Sequence, residues 1–335
     1  MLTLKNSNKI KKLEDNFWIE LDIQGHYEDI NSKEELEILE QLKNNSWEDV
    51  VAQRFADKHP WLYSIIIDRG RSLFLDFLPT KKGGNYLDVG SGWGQIAIPL
   101  SRQGNVFCLD ITVSRLKILR EIARQEKSVL NYVCGNFCTF PFDDNQFDAV
   151  VFNGTLEWIA LGLPGKTIWQ VQQESLQKTF NILSPGGYVY IGIENSLGLK
   201  YLFGAPDDHT CLPYLSFLNE EKARSLYAKS VPNKPLPAKT WSLVEYKKML
   251  TDAGLDVVEI YGCFPDYKLI RQMIPLNEIN AMLSAGGLPY PEHSGTSGKR
   301  LETNEHLDAA YRLLAKNNIA EYFCPSFGII ARKPE

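Results

Sequence analysis

The chain lacks several features that would each have decided its class. None of its six cysteines (108, 134, 138, 211, 263 and 324) forms a CxxC pair, and several lie in apolar runs such as Val106-Phe107-Cys108-Leu109. Buried free thiols in a reducing cytoplasm are therefore expected, not a disulfide framework. Five scattered histidines without an HExxH pattern give no metal site to read. No apolar run approaches the roughly 20 residues that a bilayer span requires. The lysine-rich start, MLTLKNSNKIKKLED, has no apolar block behind it and does not read as a secretory signal. Basic charge is also short, with 36 Lys plus Arg against 41 Asp plus Glu and a net charge of −5. That balance disfavours extended nucleic-acid binding, which relies on many phosphate contacts.

What remains is a globular composition, 44% hydrophobic and 11% aromatic, over 335 residues. The middle of the chain alternates strand and helix patterns. Strands are expected at Asn85 to Val89, Asn105 to Asp110, Leu130 to Cys134, Phe147 to Phe152 and Tyr188 to Ile193. Helices are expected at Ile96 to Arg102, after Thr112 with Leu116, Leu119 and Ile122 at helical spacing, and at Gln170 to Leu183. Such alternation predicts an α/β fold, a parallel sheet with helices on both faces. Residues 1–80 read as mainly helical, with Ser32-x-x-Glu35 as a capping box, and Ser242-x-x-Glu245 opens a helix that Gly254 ends. Five prolines between 206 and 237 mark an irregular insertion, and residues 284–300 form a long loop, either a lid or structureless.

The informative stretch is Leu87-Asp88-Val89-Gly90-Ser91-Gly92-Trp93-Gly94-Gln95, a strand that ends in three alternate glycines. Glycine lets the backbone turn sharply and admits a ligand closer than any Cβ would. Asp110, twenty residues after Gly90, ends the next strand, where a carboxylate accepts both hydroxyls of a ribose. A dinucleotide loop, G-x-G-x-x-G, would need glycine at position 95, where this chain has Gln95.

The loop resembles motif I of the class I S-adenosylmethionine (SAM) dependent methyltransferases. Four further segments match that family in order: Cys134-Gly-Asn136-Phe137 with Phe140-Pro-Phe142, Phe147 to Trp158, Leu183-Ser-Pro-Gly-Gly, and Phe327 to Lys333. The resemblance implies a Rossmann-like methyltransferase sheet with an antiparallel last strand and helical and loop insertions. It divides the chain into a helical segment (1–80), a SAM-binding core (81–195), a substrate-cap insertion (196–240), a core helix and sixth strand (241–265), a second cap (266–322) and a final core strand (323–335). By position it places Gly90, Ser91, Gly92 and Gly94 under the amino-acid part of SAM with Asp88 orienting the loop. Asp110 then holds the ribose, Ile111 the adenine face, Asn136 and Phe137 the adenine edge, and Asn153 and Gly154 lie near the sulfonium.

The segment from Glu194 to His209, with Phe264-Pro-Asp266-Tyr267 later, is similar to methyltransferases of bacterial polysaccharide and peptide natural-product pathways. On that reading Glu194, Asp208 and His209 are catalytic, with His209 a base steadied by its carboxylates. Glu157, Asn195, Tyr201, Asp266 and Tyr267 then face the acceptor. Against this, Asp207 and Asp208 also suit a turn, and Arg69 and Arg71, within reach of the SAM carboxylate on the same resemblance, better suit a solvated helix face. The expected function is methyl transfer from SAM, with S-adenosylhomocysteine as product and no metal, to an oxygen of a small-molecule, glycan or peptide acceptor. Nitrogen methylation, a catalytically silent SAM-fold subunit and an NAD oxidoreductase stay open. The expected setting is cytoplasmic, away from membranes and nucleic acid, with a homodimer left open.

Overall fold

The computed structural model describes residues 2–5, 8–14, 16–23, 30–286, 293–294, 299–300 and 304–335. Where mainly helix was expected, the chain opens with an antiparallel hairpin, β1 (Ile10–Glu14) and β2 (Phe17–Glu20). These strands are too short for alternation to mark them, yet β2 buries Phe17 and Trp18. Three helices follow, α1 (Ser32–Leu42), α2 (Trp47–Phe55) and α3 (Pro60–Ile67). The cap of α1 is Asn31, one residue before the expected box, and its side chain accepts the Glu34 N–H at 3.0 Å.

The core runs β3 (Gly84–Val89), α4 (Ala97–Leu100), β4 (Gly104–Asp110), α5 (Val113–Gln125), β5 (Asn131–Cys134), β6 (Phe147–Asn153), α6 (Ile168–Ile182) and β7 (Leu183–Glu194). After it come α7 (Leu199–Leu202), α8 (Glu220–Ser230), α9 (Leu243–Asp252), β8 (Asp256–Phe264), β9 (Gln272–Pro275), α10 (Leu276–Gly286), the ribbon β10 (His293–Ser294) and β11 (Lys299–Arg300), α11 (Asn304–Lys316) and β12 (Ser326–Arg332). The main sheet has ten strands in the order β1-β2-β5-β4-β3-β6-β7-β12-β8-β9. From β2 to β7 all pairings are parallel, and β12 lies antiparallel between β7 and β8. The predicted α/β sheet with its antiparallel last strand is present. The hairpin extends one edge, and β9, inside the expected second cap, extends the other.

Alternate residues of the parallel strands feed two cores, because successive side chains point to opposite faces. Leu87, Val89, Phe107 and Leu109 pack on one face with α6 and α9 residues such as Val171 and Met249. Tyr86, Val106 and Cys108 pack on the other with Leu116 and Leu119 of α5. Each large apolar side chain so buried stabilises by about 1.5–3 kcal/mol. The capping box of α9 forms as expected, Ser242 and Glu245 satisfying each other's backbone N–H groups. All six cysteines are free thiols. No described helix is long and apolar enough to cross a membrane. The proposed lid at 284–300 lies mostly outside the described residues.

The chain leaves β3 toward β4 on one side and returns to β6 on the other. This reversal of strand order is where open α/β sheets leave a crevice at their carboxyl edge. The crevice here is a cavity of about 620 Å³.

Candidate active site

The glycine loop forms one wall of this cavity. Gly90, Gly92 and Gly94 have φ of 76°, 51° and 90°, a region that other residues enter only with strain. Their roles differ. A Cβ on Gly90 would strike the Thr155 side chain, and one on Gly94 would strike Leu119 of α5, so both are packing glycines. A Cβ on Gly92 would meet only the Gly90 carbonyl, at 3.8 Å, and so stands in the open cavity. The Ser91 hydroxyl donates to the Asp88 carbonyl at 2.9 Å, and Gly90 N–H donates to Leu109 O at 2.7 Å.

Asp88 is buried beneath the loop and does not line the cavity. Burial lifts its carboxyl to about 7 even though the Arg71 guanidinium draws it down. Asp110 accepts the Gly92 N–H at 3.3 Å and the Thr112 N–H at 3.0 Å, which orients its carboxylate at the cavity wall. Ile111, Asn136, Phe137, Asn153 and Gly154 also line the cavity. Phe137 is both wall and core, meeting Phe152 edge to face at 5.1 Å. The side-chain oxygen of Asn136 accepts the Cys138 N–H at 2.9 Å.

Glu20, at the end of β2, holds this loop from behind. It accepts the Asn136 N–H at 2.9 Å and the Thr139 hydroxyl at 2.7 Å. Sequence reading missed it, because its partners lie more than a hundred residues away. Arg71 departs from the solvated-face expectation, whereas Arg69 is exposed as expected. Arg71 lines the cavity, donates to Asn153 O at 3.1 Å and keeps Nη1 buried without a partner. Both side-chain polar atoms of Asn153 are likewise buried and unpartnered.

At the other end the segment after β7 brings His209 to the cavity wall, 4% exposed, with its ring 5.0 Å from that of Trp158. Its Nε2 lies 3.5 Å from Glu194 Oε2 and 3.7 Å from Glu157 Oε1, both glutamates being fully buried behind it. Burial works against a charge on His209, but Glu194 and Glu157 outweigh it and lift the imidazole to about 9. The two glutamates thus favour the charged ring, whereas the expected base is the neutral one.

Asp208 is gripped by Lys200 at 2.9 Å and by Lys268 at 3.3 Å. These ammoniums overcome its burial and hold its carboxyl well below the usual range. Lys268 also pairs with Glu194, whose carboxyl burial raises, and Tyr267 OH donates to Glu157 Oε1 at 3.1 Å. The ligating atoms of Glu157, Glu194 and His209 converge within 4.8 Å, but both carboxylates are engaged by Lys268 and Tyr267, which makes this an ion-pair network.

Four of the five expected acceptor residues do not reach the cavity, Glu157 lying buried behind His209. Asn195 donates to Tyr322 O and Cys324 O at 2.8 and 2.9 Å and accepts the Leu197 N–H, a structural knot. Tyr201 is a core side chain against Phe217. Asp266 accepts the N–H groups of Lys268 and Leu269, an ordinary turn cap. Tyr267 does line the cavity, and its ring sits where Gly154 has no Cβ. Asp207 is likewise a turn residue, accepting the His209 and Thr210 N–H groups at 3.1 and 2.9 Å. Pro60, Trp61, Leu62 and Ile65 on α3 line the cavity as an apolar wall that sequence reading did not assign.

A sheet with this strand order, a glycine loop at its switch point and an aspartate ending the next strand defines a nucleotide-type cofactor site. Residues 87–191 match the family model described as "Methyltransferase domain". Over that stretch the chain resembles the SAM-dependent methyltransferases, a class whose cofactor is SAM. It is 29% identical over 190 residues to the ubiquinone/menaquinone biosynthesis C-methyltransferase UbiE of Neisseria gonorrhoeae, covering 54% of this chain and 71% of that protein. The UbiE of Ruegeria sp. is 29% identical over 126 residues, 36% of this chain and 46% of that one. Among solved structures, a putative methyltransferase complexed with the Haloferax volcanii Trm112 activator matches with a TM-score of 0.46 at 16% identity, over 89% of this chain and 98% of that one. Phosphoethanolamine N-methyltransferase 2 of Haemonchus contortus, in complex with SAM, matches with a TM-score of 0.46 at 17% identity, over 92% and 61%.

The residues present fit SAM. The open space at Gly92, the orphaned Arg71 Nη1 and the orphaned Asn153 amide are places that a polar ligand would complete. When bound, SAM supplies a methyl group on a sulfonium that is already activated.

Proposed function

We propose that this methyltransferase acts on an oxygen of a small-molecule, glycan or peptide acceptor. Asp110 takes the ribose, Asn136, Phe137 and Ile111 frame the adenine, and Gly92, Arg71 and Asn153 receive the amino-acid part. The acceptor enters between Trp158, Tyr267, Lys268 and His209, under the apolar wall of α3. The observation that carries this reading is one continuous cavity with the glycine loop and Asp110 at one end and the His209 network at the other. Placement of the nucleophile about 3 Å from the methyl carbon supplies much of the rate, so the rigid wall matters more than a strong base. The acceptor end is lined by Asp208 and His209 from the first expected cap segment and by Tyr267 and Lys268 from the second.

Methylation of carbon is the second reading, favoured by the likeness to the UbiE C-methyltransferases. The first test is a thermal-shift titration with S-adenosylhomocysteine, SAM and NAD. A ligand at 100 times its dissociation constant adds about 2.7 kcal/mol. Stabilisation by the sulfur ligands alone is expected, whereas stabilisation by NAD alone would overturn the reading. Mass spectrometry of methylated products from an acceptor panel then separates oxygen from carbon by the lability of the new bond.

A further inference from the structure

The groups around His209 form an unbalanced set of charges. Five carboxylates are buried there: Glu157 after β6, Glu194 ending β7, Asp207 and Asp208 beside His209, and Asp266 after β8. Three ammoniums oppose them: Lys200 of α7, Lys239 before α9, and Lys268, which is 13% exposed at the cavity. Lys200 and Lys268 are spent on Asp208 and Glu194, and Lys239 donates to the carbonyls of Ser216 and Thr240. Glu157 keeps Oε2 unpartnered, and Glu194 keeps unpartnered the Oε2 that faces His209. Glu194 already meets Lys268 and Glu157 the Tyr267 hydroxyl, yet carboxylates still outnumber cations here, and a further cation between the two glutamates offsets the cost of burying them. His209 Nε2 occupies that place.

We propose that Glu157 and Glu194 hold His209 as an imidazolium, so that the acceptor end of the cavity receives a nucleophile that is already an anion, a carboxylate, phenolate or enolate. This rests on the methyl-transfer reading above and names its acceptor class. With Nε2 facing the glutamates, Nδ1 is the ring nitrogen left to donate to the acceptor, in a cavity that Lys268 also lines. His209 cannot take a proton from a neutral hydroxyl while it carries two of its own. An anionic acceptor needs no base. Its lone pair forms the bond to the methyl carbon, the carbon–sulfur bond gives its electrons to sulfur, and no proton leaves. Glu157 and Glu194 are positioning residues that act through His209, and an oxygen or an enolate-carbon acceptor satisfies the same chemistry. The lift of the imidazole to about 9 agrees with this arrangement.

The experiment uses the full chain with nitrogen-15 in its histidines and His209 assigned through His209→Asn. With S-adenosylhomocysteine present, His209 is expected to be doubly protonated at pH 7.5, and Glu157→Gln should lower its midpoint by at least one pH unit. Glu194→Gln repeats the test, and should it fail to fold, the wild-type and Glu157→Gln titrations still decide. Benzoate, as an anionic probe, should move the His209 resonances and raise Tm, while benzyl alcohol should do neither. Enolisable diketones against their methyl ethers repeat the comparison for a carbon acid. A neutral His209 at pH 7, no response to the anions, or an equal response to the neutral probes would overturn the proposal. Failure to bind S-adenosylhomocysteine would instead sink the methyl-transfer reading, so the two failures are distinguishable.

Discussion

Gly92 and Asp110 show how far single residues carry the assignment. Asp110→Ala removes a charged acceptor from the cavity wall without opening the core. Hydrogen bonds to charged groups contribute about 1.5–3 kcal/mol each, so affinity for S-adenosylhomocysteine should fall at least tenfold by calorimetry with Tm nearly unchanged. Unchanged affinity would remove the ribose assignment. Gly92→Val places its branches in the cavity rather than in protein, at a φ of 51°. Binding should vanish while the protein stays folded, with a backbone strain of about 1–3 kcal/mol. Both positions are legible in the sequence because the glycine spacing and the strand-end aspartate are local patterns. Asn195, Tyr201 and Asp266 were misread for the converse reason. Each follows a strand or lies beside the right segment, but which way a side chain turns depends on distant carbonyls such as Tyr322 O and Cys324 O.

Among the elements, the hairpin is the one whose job no local pattern could announce. Its β2 pairs with β5 and ends on Glu20, which pins the 136–139 loop. Glu20→Ala leaves a buried backbone N–H without its acceptor, at a cost of about 1–3 kcal/mol. It should lower Tm and weaken S-adenosylhomocysteine binding several-fold although Glu20 does not line the cavity. An affinity that survives the loss of Tm would show that the loop is ordered without the hairpin. The core strands and α6 were readable because a buried parallel strand is an apolar run and a helix repeats its apolar residues. α3 escaped because its Pro60-Trp-Leu-Tyr-Ser-Ile-Ile-Ile67 run is apolar all round, which hides the face that lines the cavity.

Over the whole molecule, buried ionisable groups set how stability follows pH. His209 is raised from 6.5 to about 9, so the folded state binds its proton more tightly than the unfolded chain. Its contribution is complete below pH 6.5 and is lost as pH rises through 9, up to about 3 kcal/mol. Asp88, raised by burial to about 7, adds a decline of the same sign between pH 4 and 7. Lys178 and Lys239 oppose it, because burial lowers both to about 8 and stability recovers as pH climbs from 8 toward 10.5. Tm should therefore fall between pH 6.5 and 8 and recover above, and His209→Asn should remove the fall above pH 7. A wild-type Tm that is level from pH 6.5 to 8 would contradict the imidazolium.

Strand β12 lies between β7 and β8 yet follows both along the chain. A ribosome therefore completes the cofactor end of the cavity, with all of its glycine-loop and Asp110 walls, while two interior strands still show bare edges. Unpaired edges are templates for pairing with other chains. The nascent polypeptide is most exposed to chaperone capture or misassociation in the interval before residues 326–332 emerge, and slowing translation across α10 and α11 should lengthen that interval and lower the soluble yield.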